Sequence, residues 1–264
     1  MLKLAVTGKG GVGKTTLSAL LARLYAGEGH PVLAIDADPD ANLASALGFA
    51  PGEAERIEPI ANMTDLIEER TGARPGTQAP MFRLNPRVDD IPERFSAVHA
   101  GVRLLLMGTV KTGGGGCVCP ENVLLKSLLR HVLLRRDEVV IVDMEAGIEH
   151  LGRGTAESVD ALIIVVEPGR RSLQPAETIQ KLASDLRIRR CFVVGSKVKG
   201  EDDRRFIESQ LQGLELIGFL SYNERILEAD LKGSSPFDLD SVAVEEVRRI
   251  RDNLEKSLGE ERRA

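Results

Sequence analysis

Gly8-Lys9-Gly10-Gly11-Val12-Gly13-Lys14-Thr15-Thr16 follows the pattern G-x-x-x-x-G-K-[ST], a loop that wraps the phosphates of a nucleotide. The stretch comes directly after an apolar run, Leu2 to Val6, and opens an amphipathic segment, Thr15 to Ala26. That strand–loop–helix setting is what gives the pattern its meaning. Glycines at 8, 10, 11 and 13 let the backbone curl so that its N–H groups converge on an anion, and the following helix adds the positive end of its dipole. Val12 and Thr16 complete the loop. Lys14 supplies a point charge for the β- and γ-phosphates and Thr15 a hydroxyl for Mg²⁺.

Outward from that loop, short apolar strands are expected at Leu2–Val6, Val32–Ile35, Val102–Leu106, Val139–Val142, Ala161–Val166, Cys191–Val194 and Leu216–Phe219. Their unbroken apolar character suits parallel strands covered on both faces. Helical patterns fall between them at Thr15–Ala26, Val123–Arg135, Leu173–Leu186 and Asp202–Leu211. Right-handed crossovers then give an α/β fold: a doubly wound, mostly parallel sheet with helices on both faces. Residues 1–264 are expected to form a single domain. An irregular insertion at about 50–99 holds six of the twelve prolines and one helix, Thr64–Arg70. The tail from Val242 reads as a charged helix that frays at Gly259.

Composition narrows the partners. The net charge is −5, with basic residues spread evenly, no Trp and few aromatics. This argues against a nucleic-acid footprint. The longest uninterrupted apolar run, Ala161 to Val166, is far too short for a bilayer, and no signal peptide is expected. Three cysteines cannot all pair within one chain, which points to the reducing cytoplasm.

Two acidic signals accompany the loop. Asp36-Ala37-Asp38-Pro39-Asp40-Ala41-Asn42 ends the second strand, and Asp36 and Asp38, two apart, are expected on one side. Beside a triphosphate they can hold the waters of Mg²⁺ and orient an attacking water. Val139 to Val142 ends in Asp143, an apolar strand ending in a carboxylate suited to Mg²⁺, with Gly147 placed to sense the γ-phosphate. Glu145 and His150 read as structural, or as supports to the residues that act, rather than as catalytic. Ser196-Lys197 and Ser221-Tyr222-Asn223 close later strands and are candidates for contacts to the base; these residues alone leave GTP open.

The stretch KGGVGKTT resembles the deviant phosphate loop of the MinD/ParA/nitrogenase-iron-protein class of P-loop NTPases. The resemblance implies that Lys9 reaches the nucleotide of a second subunit, in a face-to-face homodimer with ATP at the interface. It also implies that Asp38 positions the hydrolytic water, that Asp36 supports the metal shell, and that Ser221-Tyr222-Asn223 lies against the purine. Met144-Glu145-Ala146 stands where the class has Thr-Pro or Thr-Ala-Pro.

A local oddity separates this chain from that broad class: Thr112-Gly113-Gly114-Gly115-Gly116-Cys117-Val118-Cys119-Pro120-Glu121. A Cys-x-Cys pair closes a disulfide only under strain, and two thiolates seldom complete a soft metal site. A twofold axis would supply two more. Pro120 suits the first turn of a helix, while Cys191 sits on an apolar strand and reads as core. With the phosphate loop, the Asp36–Asn42 segment and Glu167-Pro168-Gly169-Arg170-Arg171-Ser172-Leu173, the Cys-x-Cys resembles the nickel-inserting accessory ATPases of carbon monoxide dehydrogenase, the CooC type, over nearly the full length. This implies Ni²⁺ held by Cys117 and Cys119 of two subunits, with Zn²⁺ able to compete, and delivery to an apo nickel enzyme. Thiolate ligation makes affinity rise with pH. Two rivals stand beside it: a spatial-positioning ATPase that binds membrane or DNA, and an iron–sulfur reductase with a cluster between subunits. The mixed-charge tail speaks against the first, and the spacing of the cysteines against the second.

Overall fold

The computed structural model describes residues 2–75, 81–109, 119–145, 156, 158–188, 190–211 and 213–261. The strands are β1 (Lys3–Gly8), β2 (Val32–Ala37), β3 (Ala97–His99), β4 (Val102–Leu106), β5 (Val139–Met144), β6 (Ala161–Val166), β7 (Cys191–Val198) and β8 (Glu215–Ser221). They form one eight-stranded sheet in the order β3-β4-β2-β5-β1-β6-β7-β8. Every pairing is parallel except that of β3 with β4.

Each central strand is apolar throughout because both of its faces are covered. In β2, Leu33 and Ile35 join one core while Val32 and Ala34 join the other. In β6, Leu162, Ile164 and Val166 face one way, and Ala161, Ile163 and Val165 the other. One face is covered by α1 (Lys14–Gly27), α2 (Leu43–Leu47) and the carboxyl-terminal helix. The other carries α4 (Thr64–Thr71), α6 (Pro120–Arg135), α7 (Arg170–Asp185) and α8 (Glu201–Gln210). Between these run the short turns α3 (Pro51–Ala54) and α5 (Ile91–Phe95). Near the end come α9 (Glu224–Lys232), α10 (Pro236–Leu239) and α11 (Ser241–Glu261).

The irregular stretch at 50–99 is built into the sheet's flank. Ile60, Ile67, Val88 and Ile91 are buried in the same core as α6. Asp90 ties the stretch together, accepting from Arg70 at 2.8 Å and Arg94 at 2.9 Å. The stretch ends in β3, a three-residue edge strand whose brevity left no alternation to read in the sequence.

The tail departs from expectation. Helix α11 passes through Gly259 to Glu261. A glycine within a helix costs about 1 kcal/mol, but Leu254 and Leu258 pack against the core, and Arg190 donates to the Ser257 carbonyl at 2.8 Å. Tyr25 of α1 donates to Glu255 at 2.9 Å, and Arg251 pairs with Glu28 at 2.5 Å. Burial and the neighbouring Glu255 push the Tyr25 hydroxyl far above its ordinary range. Val247, Ile250 and Leu254, the apolar stripe of α11, are fully buried. Among the described residues no helix is long and apolar enough to cross a membrane.

Candidate functional site: a phosphate loop and its acidic neighbours

A cleft of about 670 Å³ opens beyond the carboxyl ends of the strands, where parallel sheets of this kind bind ligands. Its floor is the turn from β1 into α1, and Gly10, Gly11, Gly13, Lys14, Thr15 and Thr16 all line it. Two glycines are required by the geometry. Gly8 has φ +149°, and a Cβ there would lie 2.3 Å from the Val165 carbonyl oxygen. Gly13 has φ +101° and would press a Cβ to 2.9 Å from the Ser196 hydroxyl. Val12 is buried beneath the loop. Lys9 is half-buried and lies outside the lining of its own cleft.

The charged centre is compact. Lys14, 5% exposed, places its ammonium 3.7 Å from Asp38. Thr15 donates its hydroxyl to Asp143 at 2.6 Å, and Ser18 donates to the other oxygen of that carboxylate at 3.1 Å. Ser18 escaped the reading of the sequence, although its place one helical turn after Thr15 puts the two hydroxyls on one face. Burial raises the Asp143 carboxyl to about 6, against the pull of Thr15, Lys14 and Ser18.

Asp36 and Asp38 part company. Strand β2 ends at Ala37, so the pleat no longer places Asp38 on the side of Asp36. Asp38 lines the cleft. Asp36 is 1% exposed and spends its oxygens on backbone N–H groups, from Asp38 at 3.1 Å and Leu43 at 2.9 Å. It thereby shapes the loop that carries Asp38. Burial raises its carboxyl to about 7, with the charge of neighbouring Asp143 adding to the rise; the two stand opposite each other in the β2–β5 register.

The remaining wall comes from the last strands. Between Gly195 and Val198 the β7–β8 register shifts, and Lys197 takes φ +56°. The bulge turns Ser196 and Lys197 toward the loop, where Lys197 donates to the Gly11 carbonyl and stands 3.6 Å from Glu167. Ser221, Tyr222 and Asn223 line the same cleft, and the ammonium of Lys199 lies 5.0 Å from the centre of the Tyr222 ring.

A Thr15 hydroxyl whose proton rests on Asp143 offers its lone pairs to a cation, and with the carboxylate makes a hard oxygen set that fits Mg²⁺. Cys119 is half-buried and extended, with φ −114° and ψ 157°, and it caps α6, which begins at Pro120 as expected. Cys117, Gly147 and His150 lie outside the described residues. Cys191 opens β7, and burial raises its thiol to about 11.

Residues 3–237 match the CobQ/CobB/MinD/ParA nucleotide binding domain. The carbon monoxide dehydrogenase accessory protein CooC of Rhodospirillum rubrum is 53% identical over 238 residues, covering 90% of each chain. An ATP-binding protein of Methanocaldococcus jannaschii is 46% identical over 252 residues, 94% of this chain and 96% of its own. Among solved structures, the MinC:MinD cell division complex of Aquifex aeolicus aligns with a TM-score of 0.70 at 22% identity, covering 97% of this chain and 96% of that one. A putative plasmid partition protein of Borrelia burgdorferi bound to AMPPNP aligns with a TM-score of 0.71 at 18% identity, covering 97% and 100%. These two likenesses speak to the fold. With its phosphate loop, its acidic strand ends and this kinship, the chain is a CooC-related member of the CobQ/CobB/MinD/ParA nucleotide-binding family.

Proposed function

We propose that this ATPase is a cytoplasmic, dimerising metallochaperone that carries nickel on Cys117 and Cys119 of two subunits and aids maturation of carbon monoxide dehydrogenase or a related nickel enzyme. The observation that carries the reading is the kinship to CooC across nine-tenths of both chains, in a chain that also places Cys119 at the head of α6.

In this reading Thr15 and Asp143 hold Mg²⁺, which supplies charge neutralisation on the β- and γ-phosphates. Lys14 exchanges Asp38 for phosphate oxygens. That exchange frees the Asp38 carboxylate to accept a proton from, and so orient, the attacking water. Ser18 keeps Asp143 in place. Lys9, which does not line its own cleft, is the residue offered to the nucleotide of the second subunit. Two chains then bring four thiols together, the number a soft metal site wants. Hydrolysis loosens the pair and releases the cargo; Zn²⁺ is the expected competitor.

Two other readings fare worse. A membrane-positioning ATPase needs a free amphipathic tail, and the stripe of α11 is spent on the protein's own core. An iron–sulfur cluster using Cys191 with Cys119 needs the two close together. Cys191 starts β7, at the amino edge of the sheet. Cys119 starts a helix of 16 residues, roughly 24 Å long, that runs back to that edge. Metal content and oligomeric mass, with and without a non-hydrolysable ATP analogue, test the proposal on the wild type and on a Cys117→Ala/Cys119→Ala variant. Stoichiometric nickel retained by the double variant would reject it.

A further inference from the structure

Beneath the far wall of the cleft lies a carboxylate that does not line it. Glu246, on α11, accepts from Ser221 twice: the backbone N–H reaches one oxygen at 2.9 Å and the hydroxyl the other at 2.5 Å. Its neighbour segment is pinned in the same way. Asp240, 1% exposed, takes a proton of the Asn223 amide while its other oxygen caps α11 through Val242 and Ala243, at 3.0 and 3.3 Å. The Asn223 carbonyl oxygen accepts from Arg225 N–H at 3.0 Å, and the Tyr222 N–H is spent on the Val198 carbonyl at 2.9 Å. The Ser221 hydroxyl and the Asn223 amide are thus each oriented by a carboxylate from outside the cleft.

A serine hydroxyl has one proton and two lone pairs. Here the proton is held by a carboxylate, a charge-assisted bond that a neutral ligand does not outcompete. Toward the cleft, Ser221 can therefore only accept. A partner at that point must bring a donor. With the purine's 6-position turned to Ser221, the 6-amino group of adenine meets that need, and the 6-carbonyl of guanine, an acceptor, does not.

We propose that Glu246 sets the choice of base: by holding the Ser221 proton it makes the cleft wall an acceptor and selects a 6-amino purine over a 6-oxo purine. Glu246 is a positioning residue, acting through Ser221. The inference rests on the reading of this cleft as a nucleotide site and adds its specificity.

Glu246→Gln separates polarity from packing. The amide is isosteric, keeps an oxygen for the Ser221 N–H, and hands a proton to the Ser221 hydroxyl, freeing that hydroxyl to donate into the cleft. Wild-type protein is expected to favour ATP over GTP in KM. In Glu246→Gln that preference should shrink about tenfold, the value of one hydrogen bond, with kcat at saturating ATP and the melting temperature little changed. Ser221→Ala should also shrink the preference, through weaker ATP binding with no gain for GTP. A folded Glu246→Gln protein with the wild-type ATP/GTP ratio overturns the proposal. Should that variant fail to melt cooperatively, an unchanged ratio in Ser221→Ala overturns it instead. Wild-type protein that binds neither nucleotide would indict the site itself; wild-type protein that binds both equally would indict only the role of Glu246.

Discussion

The Lys14–Asp38 pair, at 3.7 Å, is the point where binding and chemistry part. Lys14→Ala should abolish nucleotide binding, measured by calorimetry. Asp38→Asn should leave binding close to wild type and lower kcat by about a hundredfold or more, the usual range for a lost acid–base group. Equal loss in KM and kcat would assign Asp38 to binding instead. Cys191 gives a second test. Its folded-state pKa is about 11, raised by burial alone, so the neutral thiol persists up to that pH in the native protein. Since the thiolate is the nucleophile, native protein at pH 8 should leave Cys191 unlabelled by iodoacetamide while the urea-unfolded chain labels at all three cysteines. Rapid labelling of the half-buried Cys191 in the native state would contradict a neutral, packed thiol. In the proposed nickel site the sign is the opposite of inertness: binding displaces thiol protons, so apparent nickel affinity should climb between pH 6 and 8.

Helix α11 holds more than its own weight of the structure. It covers β8, closes over α1 and carries Glu246. Its seat depends on Gly218, with φ +156°, where a Cβ would come within 2.6 Å of the Ile250 side chain. Gly218→Ala should therefore cost about 1–3 kcal/mol, the range of an overpacked core, read from urea unfolding; a cost near zero would mean that α11 shifts freely. The elements themselves were unequally legible. The parallel strands announced themselves as unbroken apolar runs because both faces are covered, and α1 and α6 were marked by the phosphate loop and by Pro120. Helix α9 was missed because its buried side is narrow, Ala229 with a half-buried Ile226, while its larger apolar residues, Leu227 and Leu231, stay exposed and blur the period. Within the site, the residues of the phosphate loop were written in a local motif. Ser18 was hidden only by the brevity of its signal. Glu246, in contrast, meets Ser221 across 25 positions of chain, and no spacing rule connects them. The separation of Asp36 from Asp38 likewise depended on where β2 stops, which residue types alone do not fix.

At the scale of the whole molecule, one subunit leaves each proposed site incomplete. Nucleotide and thiols both call for a second copy, and Lys9 is the residue that would join them. Lys9→Ala should still bind an ATP analogue as a monomer, yet fail to double its mass on size-exclusion chromatography with light scattering. A variant that pairs as readily as wild type would remove Lys9 from the interface. The proposed pairing would have to be selective, because a protein that gathered metal with its own copies would also risk gathering copies without limit. The short antiparallel strand β3 bears on this. It finishes one flank of the long sheet with only three residues, Ala97–His99, running against the others. A truncated, reversed border offers an incoming strand little backbone to zip onto. In the proposed role, that border would leave the molecules to meet through their nucleotide faces rather than fuse along that flank into fibres.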